Sequence, residues 1–212
     1  YPQPPDFLGT TFLKQALVDI LDDPSVLQTP ATDENYNEVT APLWAYLDSL
    51  TPHLWRMGRA YPATGTAMFP LIADGELDLS ISFSPGAAST AITNFELPDT
   101  VRTFVLDKGT IGNASFVAIP YNSGSAAGAM VVANFLMSPE AQARAQDPNI
   151  LDYGTVLNMD ALSADERAAF NALELGIATL SPAELGSVQA EPHPSWMTRI
   201  ADDWAERYGT GQ

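Results

Sequence analysis

The residues best suited to proton transfer at neutral pH are few, because this 212-residue chain has two histidines, His53 and His193, and no cysteine. No window has the Gly-x-Ser-x-Gly pattern of a nucleophile elbow, so a Ser-His-acid arrangement has no local motif to anchor it. An enzyme reading would need a polar cluster folded around His53 or His193 inside a cleft. Metal chemistry lacks a signature too, since neither an HxxxH pair nor an EF-hand ladder of carboxylates occurs. Asp74, Glu76 and Asp78 alternate, but Gly75 makes the first part a turn and the group reads as a solvated strand edge. Walker A and dinucleotide-binding glycine patterns are absent. Asn113-Ala114-Ser115 fits the N-glycosylation triplet, a pattern short enough to arise by chance.

Two segments offer binding chemistry instead. Asp6-Phe7-Leu8-Gly9-Thr10-Thr11 places backbone N–H groups, two hydroxyls and a glycine at an expected helix start. Ser84-Pro85-Gly86-Ala87-Ala88-Ser89 repeats that chemistry after an expected strand. Ordinary helix capping is the competing explanation for each.

The charge balance narrows the partners. With 9 Lys and Arg against 26 Asp and Glu, the formal net charge of -17 opposes non-specific attraction to nucleic acid or an anionic membrane. It suits a soluble protein and is compatible with a cationic ligand. Hydrophobic residues make up 46% of the chain, enough for one substantial core. No apolar run approaches the roughly 20 residues of a membrane span, and no signal peptide is visible. The opening Tyr1-Pro2-Gln3-Pro4-Pro5 is expected to be cut from a longer precursor.

The elements that must position these residues follow from periodicity. Asp6 caps a helix expected over residues 8–21, stopped by Asp22-Asp23-Pro24. Leu43, Trp44, Leu47, Leu50, Leu54 and Trp55 predict one amphipathic helix over 40–57, strained or broken near Pro52. A short helix over 66–74 ends at Gly75, and Leu77, Leu79, Ile81 and Phe83 alternate with polar residues as a strand. A further helix begins within 87–93. Strands are expected over 101–106 and 115–120, and helices over 126–137 and from Pro139 through about residue 145. The capping box at Ser163 starts a helix through about residue 174, Ser181-Pro182-Ala183-Glu184 starts a short one, and 195–207 forms the last, with Trp196, Ile200 and Trp204 on one face.

With these elements placed, the chain resembles the bacterial extracellular solute-binding proteins of ABC importers. The run from Met68-Phe69-Pro70 through Asp74-Gly75-Glu76-Leu77-Asp78-Leu79, then Ser82-Phe83-Ser84-Pro85-Gly86, looks like the family's helix, glycine turn and strand leading to the ligand cleft. Residues 113–120 with Asn134-Phe135-Leu136-Met137-Ser138-Pro139-Glu140-Ala141-Gln142-Ala143 are similar to its crossover strand and helix pair. The opening residues 1–9, Leu97-Pro98-Asp99-Thr100-Val101-Arg102-Thr103-Phe104, and His193-Pro194-Ser195-Trp196 resemble the YnjB-type, thiamine- and polyamine-binding-like branch. The resemblance covers nearly the whole chain but only the second part of the family's polypeptide.

What the resemblance implies is an α/β, periplasmic-binding-protein-like (type II) lobe with a sheet flanked by helices, plus a segment of the second lobe. Residues 1–112 would form the carboxy-terminal lobe, 113–145 would return to the amino-terminal lobe, and 146–212 would pack back on the first. Without sheet partners, segment 113–145 would expose apolar helix faces unless it repacks or dimerises. The implied activity is capture of a small solute in an interlobe cleft and delivery to an ABC permease in the inner membrane, in the periplasm, with no catalysis and no cofactor. A two-lobed hydrolase or transferase on the same scaffold is the alternative. The implied cleft residues are Asp6, Phe7, Gly9, Thr10, Ser84, Pro85 and Gly86, with Trp55, Tyr61 and Asn113 added. No two tyrosines adjoin, so the paired tyrosines of iron-binding relatives are missing and a ferric ligand is disfavoured.

Overall fold

In a computed structural model the chain is described over residues 1–181 and 184–209. Its main core is helical. Helix α1 (Phe7–Ile20) starts where Asp6 accepts the N–H groups of Leu8 and Gly9, and its buried face carries Leu13, Ala16 and Leu17 at helical spacing. Leu21 is extended, and Asp23 caps a 3₁₀ turn at Pro24–Gln28, so the expected stop is obeyed. Helix α2 (Tyr36–Leu50) starts earlier than its apolar spacing suggests, because Thr32 and Asn35 exchange side-chain to backbone hydrogen bonds just before it. Pro42 lies inside α2 on its exposed side. The helix expected to run to residue 57 ends at Leu50 and continues as short turns at Thr51–His53 and Trp55–Gly58. Arg56, Met57 and Gly58 are left-handed there, with φ of 50°, 59° and 70°.

The last helix, α8 (Pro194–Tyr208), closes the core. Trp196, Ile200 and Trp204 are spaced four apart and buried against α1 and α2. Their polar atoms are satisfied on arrival: the indole N–H of Trp196 donates to Thr29 O at 2.8 Å, and that of Trp204 to Tyr1 Oη at 3.1 Å. At the rim, the Tyr36 hydroxyl donates to Asp203 at 2.8 Å and the Tyr208 hydroxyl to Asp48 at 2.6 Å. Arg199 and Arg207 stack over Tyr36 and Trp44. Buried Lys14 is neutralised by an ion pair with Glu191.

Sheet structure departs from expectation. Residues 77–83, 101–106 and 115–120 do not pair as strands. The described sheet is one parallel pair, β1 (Thr110–Ile111) with β2 (Val188–Gln189), fastened to α1 where Gln15 accepts from Ile111 N–H and donates to Gly109 O. The physical reason lies in pairing: alternation decides which face is apolar, but a strand exists only where a second edge takes its N–H and C=O groups. Leu79 and Phe83 are consequently exposed. The described residues thus form a helix-rich arrangement with a minimal two-stranded sheet.

Two short helices lie between. Helix α3 (Met68–Ala73) ends at Gly75, whose φ of 72° lets Glu76 N–H fold back to Leu71 O. Helix α4 (Ala87–Thr93) buries Ser89, whose hydroxyl accepts from Ala178 N–H and bonds to Thr179. Helix α5 (Ala126–Leu136) buries no residue, and Phe116, Tyr121, Val131 and Phe135 beside or within it stand exposed. Helix α6 (Pro139–Gln146) has the expected Ser138 cap and first-turn proline, and α7 (Ala164–Asn171) has the full Ser163–Glu166 capping box. The short helix expected after Ser181 falls on Pro182 and Ala183, outside the described residues. Among the described residues no helix is long and apolar enough to cross a membrane.

Trp204→Ala should lower the unfolding free energy by about 3–5 kcal/mol, because it empties a fully buried aromatic site and strands the Tyr1 hydroxyl. Urea unfolding followed by fluorescence and circular dichroism checks this, with a loss below about 1 kcal/mol contradicting the three-helix core. Burial pushes the phenol pKa values of Tyr1, Tyr36 and Tyr208 above the ordinary 10, reinforced by Asp203 at Tyr36 and Asp48 at Tyr208. Folded tyrosines then hold protons that the unfolded chain gives up, so their contribution is complete below about pH 10 and is lost as pH rises toward the folded values. The urea midpoint should hold steady to about pH 9.5 and fall above about pH 10, with a shallower fall in Tyr36→Phe.

Candidate functional site

The first expected edge is occupied mainly with building its own helix. Asp6 Oδ1 accepts from Leu8 N–H at 2.9 Å and Gly9 N–H at 3.2 Å, and the Thr10 hydroxyl donates to Asp6 O at 2.5 Å. Thr11 turns its hydroxyl onto Phe7 O. Gly9 is required by packing, since a Cβ there would lie 2.2 Å from Pro2 O. Phe7 is the side chain this edge presents, 61% exposed. Its ring meets Phe83 with centroids 5.0 Å apart.

That contact brings the second expected edge alongside the first. Phe83 directly precedes Ser84, Pro85 and Gly86, and it is also exposed. Ser84 O accepts from Ala87 N–H at 3.2 Å, turning the chain into α4. Gly86 N–H donates to Asp152 Oδ2 at 3.0 Å, and a Cβ on Gly86 would lie 2.3 Å from the other carboxylate oxygen. Glycine here admits a carboxylate to the backbone. A shallow groove of about 290 Å³ runs beside this contact, lined by Phe69, Ser84, Ala87, Pro148, Leu151 and Asp152.

Asp152 and Phe83 are not among the cleft residues expected from sequence. Phe83 carries a weak local signal, as the last apolar position of the alternation before Ser84. Asp152 carries less: it reaches Gly86 from 66 residues away. Its only local mark is an Asp in the left-handed region, with φ of 54°, a conformation Asp tolerates better than most residues.

The added candidates lie elsewhere in the contact pattern. Trp55 donates its indole N–H to Glu76 at 2.8 Å and carries Arg56 over its ring at 4.3 Å. Tyr61 belongs to the aromatic core, 5.0 Å from Trp204 and 5.4 Å from Tyr1 between centroids, and burial raises its pKa. Asn113 is exposed and folds its own Oδ1 onto Ala114 N–H. Of the histidines, His53 is exposed in a 3₁₀ turn, whereas His193 caps α8 by accepting from Ser195 N–H. Ser195 Oγ bonds His193 and accepts from Ala31 N–H at 2.8 Å, so the pair ties a loop to the helix.

Comparison with known proteins places these features in a family. Protein YnjB of Escherichia coli (strain K12) is 41% identical to the chain over 210 residues, which is 99% of the chain and 52% of that relative. The chain thus spans about half the length of the curated relative it matches. No solved structure matches it. The sequence profile of the bacterial extracellular solute-binding proteins matches residues 6–143, from the Asp6 cap into α6, and this chain belongs to that family, whose fold is periplasmic-binding-protein-like.

Proposed function

We propose that this chain supplies one jaw of a cleft that captures a small solute in the periplasm and hands it to an ABC permease in the inner membrane. The observation that carries the reading is the Phe7–Phe83 contact, which joins the α1 start to the loop before α4 in a chain of the solute-binding family. In the proposal, Asp6, Phe7, Gly9 and Thr10 form one edge and Ser84, Pro85 and Gly86 the other. The exposed rings offer a stacking surface, and the overall negative charge favours a cationic solute of the thiamine or polyamine kind. Trp55, Tyr61 and Asn113 contribute less, given the partners they already hold.

The proposed lobe division runs through the same residues. Residues 1–112 would form one lobe, 113–145 would join the other, and 146–212 would return to the first. Supporting this are the apolar surface of α5, none of whose residues is buried, and the burial of α8 against α1 and α2.

Calorimetric titration of the full-length protein with thiamine, polyamines, amino acids and phosphonates tests the reading. Binding by one class, weakened about tenfold by Phe7→Ala or Phe83→Ala with little change in melting temperature, is the expected outcome. No heat from any class, or a response indifferent to both rings, would sink it.

A further inference from the structure

The chain around Trp55 departs most from the helix its sequence suggests. Arg56 and Met57 are consecutive left-handed L-residues followed by left-handed Gly58, a backbone that side-chain sterics disfavour. The surrounding contacts hold it. Met57 N–H donates to Leu54 O at 2.7 Å, Arg59 N–H to Arg56 O at 3.2 Å, and Thr51 Oγ1 to Leu47 O at 2.7 Å, anchoring the turn on core helix α2. A Cβ on Gly58 would lie 2.4 Å from the Thr51 methyl, so the turn is seated against that anchor. The result is a fixed knuckle that displays Arg56, Met57 and Arg59, with Met57 57% exposed and Trp55 half-buried beneath Arg56.

Its charge runs against that of the molecule. Residues 51–73 contain no Asp or Glu although the chain has 26, and they include His53, Arg56 and Arg59. Among the described residues neither arginine forms a salt bridge, and Glu76 reaches the Trp55 indole N–H instead. The grooves along Phe69 and Glu96 are lined by other side chains. Trp and Arg on a rigid support are the side chains that dominate protein–protein contacts, and a preformed turn spares the ordering cost of docking.

We propose that residues 55–59 are a docking surface for a partner protein that presents carboxylates beside an apolar side chain. The arginines meet the carboxylates, and Met57 with the Trp55 ring meets the apolar group. The chain as a whole carries a net charge of -17, so an acidic partner is repelled by most of the surface and favoured where the two arginines stand, which gives the contact its orientation.

The test uses the full-length protein in bacterial cells with a benzoylphenylalanine photocrosslinker at Met57. The expected product is an adduct with a protein whose labelled peptide contains Asp or Glu. Arg56→Glu combined with Arg59→Glu should cut its yield at least tenfold, Arg56→Lys with Arg59→Lys should largely keep it, and changing the partner's carboxylates to Lys should restore it to the Glu variant. Circular dichroism melting and solute calorimetry on the same variants should stay unchanged, which separates this contact from solute capture. No adduct from the folded protein, an adduct with phospholipid alone, or a yield indifferent to charge reversal would overturn the proposal.

Discussion

Burial of Trp196 and Trp204 between α1 and α2 is the contact on which the rest of this structure depends. It joins residues 203 apart, as the Trp204–Tyr1 hydrogen bond records. Closing so long a loop costs conformational entropy that rises only logarithmically with length, so a few large buried aromatic side chains can offset it. Each helix alone offers one apolar stripe with nothing to cover it; together α1, α2 and α8 cover one another. The Lys14–Glu191 pair and the Gln15 clamp on β1 are consequences of that closure, since both link α1 to segments that the return of the chain brings near.

The helical part of this arrangement was legible because its signals are local. Asp6, Ser138 and Ser163 cap the helices they were read to cap, and Gly75 stops α3 by adopting a positive φ. The four-residue spacing of Trp196, Ile200 and Trp204 named the buried face of α8 correctly. The failures are non-local. Pro52 marks the break that sequence allowed there, but Leu54 and Trp55 keep helical spacing into left-handed residues, and periodicity is blind to φ. Strand expectations failed more widely, because the alternation in 77–83 carries no information about whether a pairing edge is within reach.

Legibility of the candidate site follows the same division. Asp6 and Gly86 were recognisable as helix-start residues, and the structure gives each a specific partner, the N–H groups of Leu8 and Gly9 for one and the Asp152 carboxylate for the other. That the two edges lie together through Phe7 and Phe83 is a tertiary fact with no local sign. Tyr61 shows the limit of reading an aromatic candidate from sequence, since ring type alone does not separate a ligand platform from a core member. Its neighbours Tyr1 and Trp204 decide that, and neither is close in sequence to it.

The exposed apolar residues of 113–137 complete the physical argument. Phe116 is 91% exposed and Val131 71%, and burying side chains of this size is worth roughly 1.5–3 kcal/mol each. Surface of this extent is uncommon on an isolated domain and usual at an interface. Residues 115–120 bring unpaired backbone groups to the same place, and these need a strand edge as well as apolar cover. A second lobe built around a sheet meets both needs at once, whereas a single packed helix would meet only the second. The proposed transfer of 113–145 to the other lobe therefore accounts for a region where this chain's sequence pattern and its own contacts disagree.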